Sequence, residues 1–125
     1  MTLIYEEVPE FKKDFKRLSK RFRTLPNDLI TLKKAAIELH HVQKIDNQAC
    51  FVIPGCVTEL AAAHKVKKFA CRSIQGGSKS GLRLIYIYVK SINKVILIEI
   101  YYKGDKALED RERIKHYLNE LSLLI

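Results

Sequence analysis

The stretch from Val66 to Lys103, VKKFACRSIQGGSKSGLRLIYIYVKSINKVILIEIYYK, leaves this chain few ways to fold. Leu82 to Val89 and Lys94 to Tyr102 are dense in β-branched and aromatic residues, which favour a pleated, packed surface. Only Lys90 and the turn Ser91-Ile92-Asn93 separate them. Before them, Lys67-Lys68-Phe69-Ala70-Cys71-Arg72 reads as a shorter strand, followed by a turn rich in Gly and Ser from Ile74 to Ser80. Connections this short pair neighbouring strands antiparallel. Period-two alternation then groups Lys68, Ala70 and Arg72 against Phe69 and Cys71. It groups Arg83, Ile85, Ile87 and Val89 against Leu82, Leu84, Tyr86 and Tyr88. It groups Val95, Leu97, Glu99, Tyr101 and Lys103 against Ile96, Ile98, Ile100 and Tyr102. One face is apolar. The other is expected to gather Lys68, Arg72, Arg83, Glu99, Tyr101 and Lys103, or to be an ordinary solvated face.

The apolar face needs a cover. Thr2 to Glu6 reads as a short edge strand. Val8-Pro9-Glu10 is a helix start, with Pro near the first turn and an acid at the positive end of the dipole. Phe11, Phe15, Leu18 and Phe22 then follow at helical spacing. The rest of that helix is basic, from Lys12 to Arg21, and reads first as a solvated face. Leu25-Pro26-Asn27-Asp28 opens a second helix striped by Leu25, Leu29, Leu32, Ala36 and Leu39. So short a joint predicts an antiparallel hairpin of helices on the sheet. His40-His41 ends it. Adjacent helical residues point about 100° apart, poor geometry for a shared ion, so no metal and no other cofactor is expected. From Val42 to His64 the pattern fades, with a helical turn or two expected over Thr58 to Ala63. Asp105 is expected to cap a last helix from Lys106 onward, striped by Ala107, Arg111, Ile114, Leu118, Leu121 and Ile125. The fold class is therefore α+β: an N-terminal helical hairpin on one face of a small curved antiparallel sheet, with a C-terminal helix, in one domain over residues 1–125.

Charge narrows the partners. Twenty-three Lys and Arg against 14 Asp and Glu give +9, which draws a domain to polyanions or acidic proteins. Three Cys without a CxxC spacing indicate a reduced, cytoplasmic chain. No apolar run is long enough to cross a membrane, and MTLIYEEVPE lacks the regions of a signal peptide.

Three segments resemble the toxins of type II toxin–antitoxin systems, the RelE/ParE superfamily. They are Lys68-Phe69-Ala70-Cys71-Arg72, Gly76 to Tyr86, and Ile98 to Lys106. The strongest part is S-G-x-R-(L/V)-(I/V)-Y, here Ser80-Gly81-Leu82-Arg83-Leu84-Ile85-Tyr86. The resemblance implies helices on one face of a curved sheet and an antitoxin wrapped over the toxin, with any oligomer formed through that antitoxin. RelE-like members cut mRNA on the ribosome; ParE-like members poison DNA gyrase without nuclease residues. Carried over, Arg83 matches the phosphate-binding arginine and Lys68 a preceding basic residue. Ala70 departs from the pattern where a second basic residue is usual, and Arg72 is the candidate replacement. Tyr101, Lys103 and Lys106 occupy the remaining neighbourhood. The candidate catalytic set is Arg83, Lys68, Arg72, Tyr101 and Lys103. Candidate RNA contacts are Lys67, Lys79, Lys106 and His64. Glu99 is either a general base or the ion-pair partner of Arg83 or Arg72.

The chemistry needs no metal. An RNA 2′-hydroxyl attacks the adjacent phosphorus when a base takes its proton, cations hold the non-bridging oxygens, and an acid protonates the leaving 5′ oxygen. The alternatives are a gyrase-directed or catalytically decayed relative that still binds an antitoxin, and an unrelated basic nucleic-acid-binding domain.

Overall fold

A computed structural model describes residues 2–123; Leu124 and Ile125, the end of the expected C-terminal stripe, lie outside them. The elements run β1 (Ile4–Glu7), α1 (Pro9–Arg21), α2 (Leu25–Leu32), a π-helical segment (Lys33–Glu38), α3 (Leu39–His41), β2 (Cys50–Val57), β3 (Ala62–Val66), β4 (Leu82–Val89), a 3-10 turn (Lys90–Ile92), β5 (Lys94–Tyr102) and α4 (Arg111–Leu123). The sheet order is β1-β5-β4-β3-β2. All neighbours are antiparallel except β1 with β5, which is parallel, from Ile4 opposite Lys94 to Glu7 opposite Leu97. The architecture is the expected α+β one, with the first two helices against the face carrying Tyr86, Tyr88 and Tyr102. Phe22 packs on Tyr102 with ring centroids 5.2 Å apart, and His41 stacks on Tyr88 at 3.9 Å.

β4 and β5 lie where their composition puts them, but the strand before them does not. It ends at Val66 rather than running from Lys67 to Arg72. Past Val66 the chain leaves the ladder and turns its two apolar residues inward: Phe69 is fully buried, and it keeps a single bridge to Lys79. The helical turns expected over Thr58 to Ala63 are instead a hairpin bend and the start of β3. Thr58 Oγ1 accepts the backbone N–H groups of Leu60 and Ala61, both at 3.2 Å. That local bond competes with helix. The unread segment before it holds β2, an edge strand with Pro54 and Gly55 inside it. Edges and bulges are where a strand tolerates Pro, and the register slips between Val52 and Val57.

A second irregularity resets the faces of the central pair. Arg83 lies opposite Tyr101 and Ile85 opposite Glu99, but Tyr86 then lies opposite Leu97. The bulge at Ile98 moves Val95 and Leu97 to the face of Tyr86 and Tyr88, and Ile96 to that of Ile85 and Ile87. Alternation counted straight through β5 fails there because a bulge inserts one residue on one strand only.

The second face is not open along its length. α4 crosses it: the Arg111 guanidinium donates to the Pro54 carbonyl at 2.9 Å, and Arg113 donates to the carbonyl of the bulged Ile98 at 3.0 Å and to Asp14 of α1 at 2.7 Å. Ile114 and Leu118 are buried beneath it. The helix starts at Arg111, not Lys106. Its cap is Asp110, whose Oδ1 accepts the Arg113 N–H at 3.1 Å; Asp105, the expected cap, pairs with Arg21 of α1 at 2.9 Å. Among the described residues, the polar part of this face is the end of the sheet beside Arg83.

Candidate functional site

At that end β4 and β5 set Arg83 directly across from Tyr101. Arg83 is half-buried. Its Nη1 donates to the carbonyls of Lys67 at 3.2 Å and Leu82 at 3.0 Å, which pins the guanidinium to the exit of β3. Lys65 stands opposite Ile85 on the same face and hydrogen-bonds the Tyr101 hydroxyl. Lys67 follows two residues on, its Nζ 5.1 Å from the centroid of Phe51 on β2. Lys103 continues the ladder past β5, its N–H donating to the Gly81 carbonyl at 2.8 Å. Lys106 lies over the Tyr101 ring, 5.3 Å from its centroid.

Two buried carboxylates organise these cations. Glu99 Oε2 binds Lys106, and its Oε1 accepts the Asp110 N–H at 2.8 Å. Its ion-pair partner is thus Lys106, neither Arg83 nor Arg72, and both of its oxygens are engaged. Glu109 binds Lys65 and, at 3.3 Å, Arg111. Burial pushes the Glu109 carboxyl up, but the Lys65 hydrogen bond and the neighbouring cations outweigh it and hold the group below its ordinary value. Burial also raises the Tyr101 hydroxyl, with Lys65 opposing. Tyr101 therefore remains a proton-bearing donor at neutral pH. A shallow cleft of about 100 Å³, lined by Phe51, Lys65, Lys67, Glu109 and Arg111 among others, opens beside the cluster. Lys65, Lys67, Arg83, Lys103, Lys106 and Arg111 outnumber the two acids, so the patch is suited to holding an anion.

Of the candidate catalytic and RNA-contact residues, the fold brings Arg83, Tyr101, Lys103, Lys106 and Lys67 to this end of the sheet. It separates the others. Lys68 turns to the opposite side, donating to the Asn47 carbonyl at 3.3 Å beside Asp28 and Ala36. Arg72 lies against the start of α2, where its N–H donates to Asp28 at 3.1 Å. Lys79 is exposed in the loop before β4. His64 is 5% exposed on the helix-covered face, its ring stacked on Tyr86 at 5.1 Å and edge-on to His41 at 4.9 Å. Burial pushes His64 down to about 4 against the opposing hydrogen bond to Ala62, and burial followed by the His64 and His40 imidazoles pushes His41 down to about 3. The strand boundary accounts for these displacements: with β3 ending at Val66, alternation assigns Lys65 and Lys67, not Lys68, to the face of Arg83. Lys65, Glu109 and Arg111 are the members that sequence reasoning missed.

No protein-family model and no curated protein matches this sequence. Solved structures do. A metal-bound toxin from Helicobacter pylori is 22% identical over 84% of this chain and 99% of its own, with a TM-score of 0.53. A chain of the archaeal RelE–RelB complex from Pyrococcus horikoshii OT3 is 12% identical over 83% of this chain and 98% of its own, with a TM-score of 0.51. At such identities the likeness speaks of architecture: this chain has the fold of the RelE-type toxins.

Proposed function

We propose that this chain, as one domain, is the toxin of a toxin–antitoxin pair and acts in the cytoplasm as a metal-independent, ribosome-dependent mRNA endonuclease. The observation that carries the reading is the cationic end of the sheet, with Arg83 facing Tyr101 between Lys65, Lys67, Lys103 and Lys106. Its partner is a cognate antitoxin, as the archaeal RelE is solved with RelB.

In this reading Arg83 takes the non-bridging phosphate oxygens. The 2′ oxygen bonds to phosphorus as the bond to the 5′ oxygen breaks, leaving a 2′,3′-cyclic phosphate and a 5′-hydroxyl. The 2′ proton goes to a base and a proton reaches the 5′ oxygen from an acid, the exposed Lys103 being the group placed to serve one of these transfers. Lys68, Arg72 and His64 take no part. Arg83→Ala lowers cleavage by about 100-fold or more, as loss of one charge-stabilising donor does. The test is induced expression followed by primer extension, with and without ribosomes. New 5′ ends that vanish in Arg83→Ala support the reading, and unchanged toxicity in that variant removes Arg83 from it.

The gyrase-directed alternative has its own support. Tyr101 is 3% exposed and Glu99 is fully engaged, so the site presents no open acid–base pair, and Ala70 departs from the nuclease pattern. Accumulating gyrase–DNA adducts without new mRNA ends would select it.

A further inference from the structure

A second constellation lies on the other face of the sheet. The expectation that His40 and His41 diverge too far to share an ion omitted a third ring. β3 brings His64 alongside them, and one nitrogen from each of His40, His41 and His64 lies within 4.8 Å of the others. We propose that these three histidines form a binding site for a divalent transition-metal ion of the imidazole-seeking class, of which Zn²⁺ is the test case.

His41 and His64 pack on Tyr88 and Tyr86, yet the ring nitrogens are also set up as ligands. His64 Nδ1 meets the Ala62 carbonyl at 3.1 Å. A proton on Nδ1 makes that bond and leaves Nε2 with its lone pair, the arrangement that orients a metal-bound histidine. His41 Nε2 meets the Tyr86 hydroxyl at 2.7 Å. Donation from Nε2–H to that oxygen leaves Nδ1 free. His40 Nδ1 is buried and has no hydrogen-bond partner. A buried ring nitrogen without a partner is costly, and an ion would satisfy it. All three Cys are buried and stand outside the group, so the donors are nitrogen alone, which suits Zn²⁺, Ni²⁺ or Cu²⁺ over Mg²⁺ or Ca²⁺.

The geometry is near closure. Ring centroids are 4.7, 4.9 and 5.9 Å apart. Zn–N bonds of about 2.0–2.1 Å hold tetrahedral nitrogens about 3.3 Å apart, so the site closes with shifts of about 1.5 Å or less. His40, the least buried of the three, can make that movement. The preceding π-helical turn, Lys33–Glu38, is the kind of distortion found at functional sites, and it delivers the histidine pair to the sheet. Occupied, the site would clasp the end of the helical hairpin to β3, on the opposite face of the sheet from Arg83.

The test uses the full chain without a polyhistidine tag, treated with chelator. Zn²⁺ is titrated in competition with a chromophoric chelator, and Co²⁺ serves as an optical probe. The expected result is one equivalent bound, a raised unfolding temperature, and tetrahedral d–d bands without a thiolate charge-transfer band. His40→Gln, at the least buried of the three positions, and His64→Gln each weaken binding at least about 10–100-fold, with native circular dichroism as the check on folding. Absent 1:1 uptake overturns the site. So does uptake equally strong in a folded His40→Gln chain, or a thiolate band.

Discussion

Removing the Lys106 ammonium without its stem, Lys106→Met, tests how the polar end of the sheet is held together. The Glu99 side chain is 3% exposed, and its carboxylate has two partners, Lys106 and the Asp110 N–H. In the variant a buried carboxylate keeps one neutral hydrogen-bond donor and the longer-range attraction of Arg113. Stranding one member of a fully buried pair costs about 3–5 kcal/mol. Lys106 is 43% exposed, so solvent already screens part of the attraction, and about 2–3 kcal/mol is expected. Loss of the cation above the Tyr101 ring lies within that range. Combining Lys106→Met with Glu99→Gln removes the stranded charge and keeps an acceptor for Asp110, so most of the loss returns. Urea unfolding of wild type, both single variants and the double gives a coupling energy of about 1–2 kcal/mol. A Lys106→Met chain within about 0.5 kcal/mol of wild type, with no coupling to Glu99, would refute the idea that a buried charge anchors the start of α4.

Glu109 supplies a pH test. Its folded carboxyl titrates below the ordinary 4.5. The stabilisation is therefore complete above that value and is lost as pH falls through the lower folded one. The urea-midpoint gap between wild type and Glu109→Gln, open at pH 6, should narrow below about 4.5. Phe69→Ala empties a fully buried ring site and should cost about 3–5 kcal/mol in the same assay. Gly104→Ala would bring a Cβ to 2.5 Å from Tyr102 Cε2, so it should destabilise by about 1–3 kcal/mol and perturb the Tyr102–Phe22 contact, visible in aromatic NMR shifts.

The parts legible in the sequence were those whose signal is local. β4 and β5 show themselves through dense β-branched residues, α1 through its four-three-four stripe, and Arg83 through its place in a strand of known parity. β3, AAHKV, has little strand propensity of its own and is held by pairing with β4, so its end was misjudged and Lys68 and Arg72 went to the wrong face. β2 hides behind Pro54 and Gly55. The bulge at Ile98 leaves no mark in composition, yet it decides what shares a side with Glu99. The cap of α4 fell to Asp110 because Glu99, distant in sequence, fixes that residue's N–H. The histidine trio depended on His64, which no pattern linked to His40.

The parallel pairing of β1 with β5 sets an order on folding. Ile4 meets its partner only when Lys94 is available, so the first strand made is among the last to dock, and α1 and α2 leave the ribosome before the central strands they cover. Closing so long a loop is slow. During synthesis the apolar stripe of α1 stays uncovered, a window in which a chaperone or a binding partner has access to a surface the finished molecule no longer offers.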